Sequence, residues 1–248
     1  MFYNILIISD NINLCVELQK ILNNKIHKNQ SIDYSISPYS DIDLFSTKLS
    51  CKVIQYDLKN DYTIDSLISK YDLIISIHCK QFFPKKLVNK IKCINIHPGY
   101  NPINRGWYPQ VFAIINDKPI GATIHEIDEE LDHGLIIAQD YVEIDKTDTS
   151  LSLYNKILEK EIELFKQNID SIITNRYKTI IPSGEENIYL KKDFNNLCEI
   201  NLNKKSTYGE VIDHLRALTH GEFQNAFFID PKTNEKIYIS VNLNKKNN

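Results

Sequence analysis

The sequence predicts an α/β protein: a Rossmann-like, mostly parallel sheet covered by helices, followed by a small C-terminal α+β unit with a β-hairpin. Three observations carry this. Short apolar runs alternate with helix-period segments through the first two-thirds of the chain. The first and fourth runs are nearly continuous in Ile and Leu, as strands buried on both faces are. Beyond the punctuating Pro182-Ser-Gly-Glu-Glu186, one capped helix is followed by two alternating runs joined by Asp230-Pro-Lys-Thr-Asn234. The expected division is 1–180 for the larger domain and 181–248 for a substrate-binding and dimerisation unit.

Strands are expected at residues 2–9, 32–37, 51–56, 72–78 and 93–97. Between the first two, Leu14, Leu18, Ile21 and Leu22 mark one apolar helix face and complete a βαβ unit. Pro84 suits the first turn of a helix carrying Leu87, Val88 and Ile91. A loop rich in Pro, Gly and Asn follows at 98–106, then a short helix at 108–116 and strands at 121–127 and 135–144. Leu153, Ile157, Leu158, Ile162, Phe165, Ile169 and Ile172 keep helical spacing over 150–174. In the C-terminal unit, Thr207-Tyr-Gly-Glu210 is a capping box ahead of Val211, Ile212, Leu215 and Leu218. Strands are expected at 225–229 and 236–243. There Phe227, Ile229, Ile237, Ile239 and Val241 recur at alternate positions, an apolar hairpin face that a homodimer would cover.

The 248 residues carry a net charge of -3, which leaves no basic surface for nucleic acid. The N-terminus has no basic lead and no run is long enough to span a bilayer, so a cytoplasmic location and no membrane partner are expected. The five cysteines are an odd number without a CxxC pair, against a disulfide framework or a zinc knuckle. No GxGxxG follows the first strand, and GxxxxGK[ST] and GxSxG are absent, which argues against a dehydrogenase, a P-loop NTPase and an α/β-hydrolase.

The chemistry concentrates in Cys93-Ile-Asn-Ile-His97-Pro-Gly99. Alternation along a strand sends Ile94 and Ile96 into the core and puts Asn95 and His97 together on the other side, at the carboxyl end where open sheets bind ligands. A second segment, Gly121-Ala-Thr-Ile-His125-Glu-Ile-Asp128-Glu-Glu-Leu-Asp132-His-Gly134, runs from a strand into an acidic turn. Taken alone, an N-x-H tripeptide is more often a self-satisfied pair, and an acidic turn is usually solvated. Converging, Asn95, His97 and Asp132 form an acyl-transfer set. The amide and a charged imidazole would stabilise the oxyanion formed when an amine attacks a formyl carbon. The carboxylate would keep the His charged and help remove the amine proton. No metal is required.

The run from Ile94 to Ile144 closely resembles the sugar N-formyltransferases and, more widely, the folate-dependent formyltransferases, in its N-x-H strand end, arginine-glycine loop and later L-D-x-G. The resemblance spans about residues 71–230 and places the family's catalytic set on Asn95, His97 and Asp132. It implies N10-formyltetrahydrofolate as donor, with the pterin against Lys80, Gln81, Phe82, Phe83 and Asp128; one of the two phenylalanines is also expected in the core. For the acceptor it implies Arg105 and Arg216 near a pyrophosphate. Trp107, Tyr108, Tyr208 and Phe223 are aromatics suited to a sugar or base. Ser9 and Asn11, with Asp10, stand where the first helix N-terminus meets the first strand, as a phosphate site or an ordinary N-cap.

Gly99 and Tyr100 replace the Ser and Leu of many relatives outside the sugar group. With Asn-Arg-Gly-Trp-Tyr, they resemble the branch acting on dTDP-4-amino-4,6-dideoxyglucose, a dTDP-3-amino-3,6-dideoxy sugar being the close second. The product would enter a surface polysaccharide such as the O-antigen of a lipopolysaccharide. A formyltetrahydrofolate hydrolase would use the same three residues with water as acceptor. The acidic balance disfavours a methionyl-tRNA acceptor, and a non-catalytic binding module would not need all three residues.

Overall fold

The computed structural model describes residues 1–246. β1 (Asn4–Ser9) is buried from Ile5 onward, and α1 (Ile12–Asn23) starts at Asn11, whose side chain accepts the Leu14 N–H. The chain continues through β2 (Ser31–Ile36), α2 (Ile42–Leu49), β3 (Val53–Gln55), α3 (Asp61–Lys70), β4 (Leu73–Ile77), α4 (Lys85–Val88) and β5 (Lys92–His97). A two-residue β6 (Arg105–Gly106) precedes α5 (Pro109–Asn116), β7 (Ile120–Glu126), β8 (Ile136–Val142) and α6 (Ser150–Ile173). The C-terminal part holds β9 (Ile188–Tyr189), α7 (Lys191–Cys198), α8 (Tyr208–Leu218), β10 (Phe227–Ile229) and β11 (Lys236–Tyr238).

Seven strands form one sheet in the order β3-β2-β1-β4-β5-β7-β8. Pairing is parallel from β3 to β5 and antiparallel for β5 with β7 and β7 with β8. The sheet is therefore Rossmann-like and mostly parallel, as expected. Side chains of α1, α2 and α6 cover one face through Leu18, Phe45, Phe165 and Ile169. Those of α3 and α4 cover the other through Ile64, Leu67 and Leu87. A third cluster joins Val111, Phe112, Leu153 and Ile157 to Phe194, Leu218 and Ala226, so the C-terminal elements lie against α5 and the start of α6.

Three helices went unassigned in the sequence. α2 buries only Phe45 and Leu49, α3 only Ile64 and Leu67, and α7 only Phe194, too few apolar positions to show a period. The expected helix through Ile91 is regular only to Val88, and the N–H groups of Lys90 and Ile91 close a last turn onto the Leu87 carbonyl.

The C-terminal hairpin also departs from expectation. Its second strand ends at Tyr238 rather than reaching residue 243: after a last in-register bond from the Ile239 N–H to the Ala226 carbonyl, the Val241 N–H turns to Thr219 Oγ1. Its register pairs Phe227 with Tyr238 and Phe228 with Ile237. Residues opposite one another share a face, so Phe227 and Ile237 lie on opposite faces and the single apolar face is not formed.

Candidate active site

The carboxyl ends of β1, β4 and β5 meet where the strand order reverses, the switch point at which open α/β sheets bind ligands. A cavity of about 930 Å³ opens there. Ile94 and Ile96 enter the core while Asn95 and His97 line the cavity. Asp132 reaches them from the β7–β8 loop in a left-handed conformation, φ 50°. Three contacts fix that loop. Asn101, whose N–H donates to Thr123 Oγ1 at 3.2 Å, gives its Nδ2 hydrogen to the Asp132 carbonyl at 2.8 Å. The Gly106 N–H donates to Asp132 Oδ2 at 3.2 Å. Gly134 sits so close under the Glu126 carbonyl that any Cβ would overlap it.

One carboxylate oxygen gathers the centre. Asp132 Oδ1 lies 3.2 Å from Asn95 Nδ2, 3.5 Å from His97 Nδ1 and 3.6 Å from His125 Nε2. His125 Nδ1 is 2.7 Å from the Glu126 carbonyl and donates to it, and its Nε2 lies 3.4 Å from Asn95 Nδ2. Burial pushes His97 down to about 4 against the opposing pull of Asp132. Burial also pushes Asp132 up, but His97, His125 and the Gly106 N–H prevail and hold its carboxyl below the usual carboxylate range.

At neutral pH, then, an ionised Asp132 faces a neutral His97. This corrects the expectation that the carboxylate keeps the imidazole charged: desolvation of the ring outweighs it. With the Nδ1 hydrogen turned to Asp132, Nε2 carries the lone pair, and it is buried without a partner. Such an atom can take a proton from an incoming nucleophile, while Asn95 has one amide hydrogen beyond that given to Asp132 to offer a developing negative charge.

The family profile described as formyl transferase matches residues 11–169. The chain belongs to the formyl transferase family. A second profile, described as the N-formyltransferase dimerization C-terminal domain, matches residues 193–245. A dTDP-4-amino-4,6-dideoxyglucose formyltransferase of Mycobacterium tuberculosis is 45% identical over 178 residues, 72% of this chain and 76% of the relative. The crystal structure of a 4-N formyltransferase from Francisella tularensis superposes with a TM-score of 0.92 at 42% identity, covering 98% of this chain and 99% of that one. A Helicobacter canadensis N-formyltransferase, solved with folinic acid and dTDP-3-aminofucose, gives 0.69 at 25% identity over 91% and 84% of the two chains. Within the family this chain is a sugar N-formyltransferase.

In this formyltransferase the residues expected against the pterin, Lys80, Gln81, Phe82, Phe83 and Asp128, all line the cavity. Their parts differ. Phe83 is a core residue while Phe82 is 59% exposed. Gln81 ties the loop to the Tyr56 carbonyl and the Leu58 N–H, and the Lys80 N–H donates to Asp10 Oδ2. Among the residues expected at the acceptor, Asn11, Trp107, Tyr108 and Phe223 line the cavity.

The others lie away from the cavity lining. Ser9 is buried, its hydroxyl bridging the Asn11 backbone. Tyr100 stacks on Tyr141 with ring centroids 3.9 Å apart. Arg105 is buried behind the loop, 3.4 Å from Glu186, and Tyr208 stands 92% exposed at the start of α8. Arg216 is a structural residue: its guanidinium donates to Asp213 Oδ1 at 2.6 Å and to the carbonyls of Asp145 and Asp148 at 3.2 and 2.8 Å. These bonds occupy Nε and Nη1, and the structure leaves the buried Arg216 outside the cavity lining rather than at the acceptor side.

Other lining residues escaped the sequence reading: His125, Gln110, Ser150, Tyr154, Phe194, His220 and Asn225, with Glu161 behind them. A signal existed for some. Ser150, Tyr154 and Glu161 fall at i, i+4 and i+11, a polar stripe on a helix whose neighbouring positions are apolar. Among the described residues no cluster of His, Cys, Asp or Glu is arranged to hold a metal, and no helix is long and apolar enough to cross a membrane.

Proposed function

We propose that this sugar N-formyltransferase moves the formyl group of N10-formyltetrahydrofolate to the amino group of dTDP-4-amino-4,6-dideoxyglucose. The observation that carries the reading is His97 Nε2, a buried and unpartnered acceptor beside Asn95 and Asp132. Asn95, His97 and Asp132 line a cavity of about 930 Å³, ample for two ligands meeting end to end. The fit on the donor side rests on Phe82, Ile127 and Leu131 as apolar wall with Asp128 as polar anchor. On the acceptor side Trp107, Tyr108, Phe194 and Phe223 supply aromatic faces for a base and a sugar.

The donor supplies a formyl carbon already activated as an N-acyl group. His97 accepts the proton that the amine sheds and passes it to N10 as the carbon–N10 bond breaks and tetrahydrofolate leaves. Asp132 holds the ring in the tautomer that leaves Nε2 free, and Asn95 offers its second N–H to the formyl oxygen. The 4-amino position is favoured by the names of the M. tuberculosis and F. tularensis proteins, and the nucleotide and folate by the ligands of the H. canadensis one. The test is transfer from N10-formyltetrahydrofolate to dTDP-linked 4-amino and 3-amino dideoxy sugars, followed by mass spectrometry. A formylated 4-amino sugar is expected. Formylation of the 3-amino sugar alone would move the ring position, and formate release without a sugar product would make the protein a hydrolase.

The enzyme would act as a homodimer joined through its C-terminal part. Val211, Ile212, Ile237 and Tyr238 are exposed there. The matching profile is that of a dimerization domain. Light scattering at micromolar concentration should give twice the chain mass, and a monomer would refute the dimer.

A further inference from the structure

The same cavity holds a second set of polar side chains that the chemistry above leaves unused. Glu161 on α6 is 0% exposed, a costly place for a carboxylate without a partner. Its partner is His78, whose Nε2 lies 3.0 Å from Oε1 and 2.8 Å from Oε2. Across the ring, Nδ1 is 3.2 Å from the Tyr154 hydroxyl.

These contacts have a direction. Burial raises the Glu161 carboxyl against the opposing pull of His78. As the ionised partner of His78 it only accepts, so Nε2 is the protonated nitrogen of His78, Nδ1 is then a lone pair, and the Tyr154 O–H donates to it. Tyr154 lines the cavity together with His78 and Asn11. Burial, with Glu161 adding to it, lifts the phenol to about 12, so the hydroxyl keeps its proton.

The backbone places this chain beside the reaction centre. His78 is held at φ 53°, a region that residues other than glycine rarely occupy. The register pairs Ile77 of β4 with Ile96 of β5, which sets His78 next to His97 along the carboxyl edge of neighbouring strands about 4.8 Å apart.

We propose that Glu161, His78 and Tyr154 form a polarised hydrogen-bond chain that presents the Tyr154 oxygen as a fixed acceptor for an N–H or O–H donor of the amino sugar. The inference rests on the sugar N-formyl transfer reading. Tyr154 touches the substrate, and His78 and Glu161 are positioning residues. An amine that donates a hydrogen to Tyr154 keeps its own lone pair free for the formyl carbon.

Glu161→Gln tests this at constant shape. The amide can donate to Nε2, which moves the ring proton to Nδ1 and reverses the chain. Nitrogen NMR of His78 should show a neutral ring protonated at Nε2 in the wild type and at Nδ1 in the variant. Steady-state kinetics with each substrate varied in turn should show kcat/KM for the sugar nucleotide falling about tenfold or more in Glu161→Gln and in Tyr154→Phe, with KM for the folate unchanged. The double variant should be no worse than Tyr154→Phe alone.

A loss mainly in kcat assigns the donor to the amine, and one mainly in KM to a ring hydroxyl. Multiplying effects, a rise in KM for the folate, or a doubly protonated His78 in the wild type would overturn the proposal. Should Glu161→Gln not fold, Tyr154→Phe carries the kinetic test and the wild-type spectrum the tautomer. A wild-type enzyme that formylates no dTDP-amino sugar sinks the functional reading and, with it, the ligand assigned to Tyr154; the tautomer then still decides whether the chain itself exists.

Discussion

Gly99 lies against the Nε2 edge of His97 so closely that a Cβ at position 99 would overlap the imidazole. The space in front of the proton-accepting nitrogen exists because residue 99 has no side chain. Gly99→Ala therefore has to displace the ring of His97. A shift of about 1 Å in a reacting group costs on the order of 10²-fold in rate. We expect kcat to fall by about that factor with a cooperative thermal transition retained, measured by transfer kinetics beside a melting curve. Wild-type turnover would mean that the ring has another place to sit.

His97 also writes a pH dependence into stability. Its folded pKa is about 4, below the ordinary value of about 6.5. Between those values the unfolded chain binds a proton that the folded chain refuses, so stability falls as pH drops through this window, by about 3 kcal/mol. Denaturant unfolding at several pH values, in wild type and His97→Gln, should show that slope reduced in the variant. An identical slope in both would place the titration elsewhere.

Asp132→Asn removes the group on which Asn95, His97, His125 and the Gly106 N–H converge. Transfer should drop by about 10²–10⁴-fold. The carboxylate raises the pKa of His97, so the ring in the variant should titrate even lower, as proton NMR would reveal. An upward movement would contradict the assigned electrostatics.

The central centre was legible in the sequence for a definite reason. Asn95 and His97 sit on a strand whose alternation with Ile94 and Ile96 can be read directly, and Asp132 is announced by the close approach that Gly134 permits. What was not legible depends on tertiary distance. Nothing local distinguishes Arg216, locked to carbonyls of the loop before α6, from an arginine aimed at a ligand. Nor does alternation alone give the register that splits Phe227 from Ile237. The charge state of His97 likewise follows from burial by the whole fold, not from its neighbour in sequence.

Arg216→Met keeps much of the buried volume but leaves the carbonyls of Asp145 and Asp148 without their donor. Unfolding free energy should fall by roughly 3 kcal/mol. KM for the sugar nucleotide should stay within a factor of about two. A stable variant with a much higher KM would return Arg216 to the substrate.

The most direct measurement is a crystal structure of this enzyme with a dTDP-linked 4-amino sugar and a non-reactive formyl-folate analogue. The account predicts the sugar nitrogen within hydrogen-bond distance of His97 Nε2 and the formyl oxygen facing the Asn95 amide. An amino group bound away from His97, with its carbon beyond the reach of the formyl group, would contradict it.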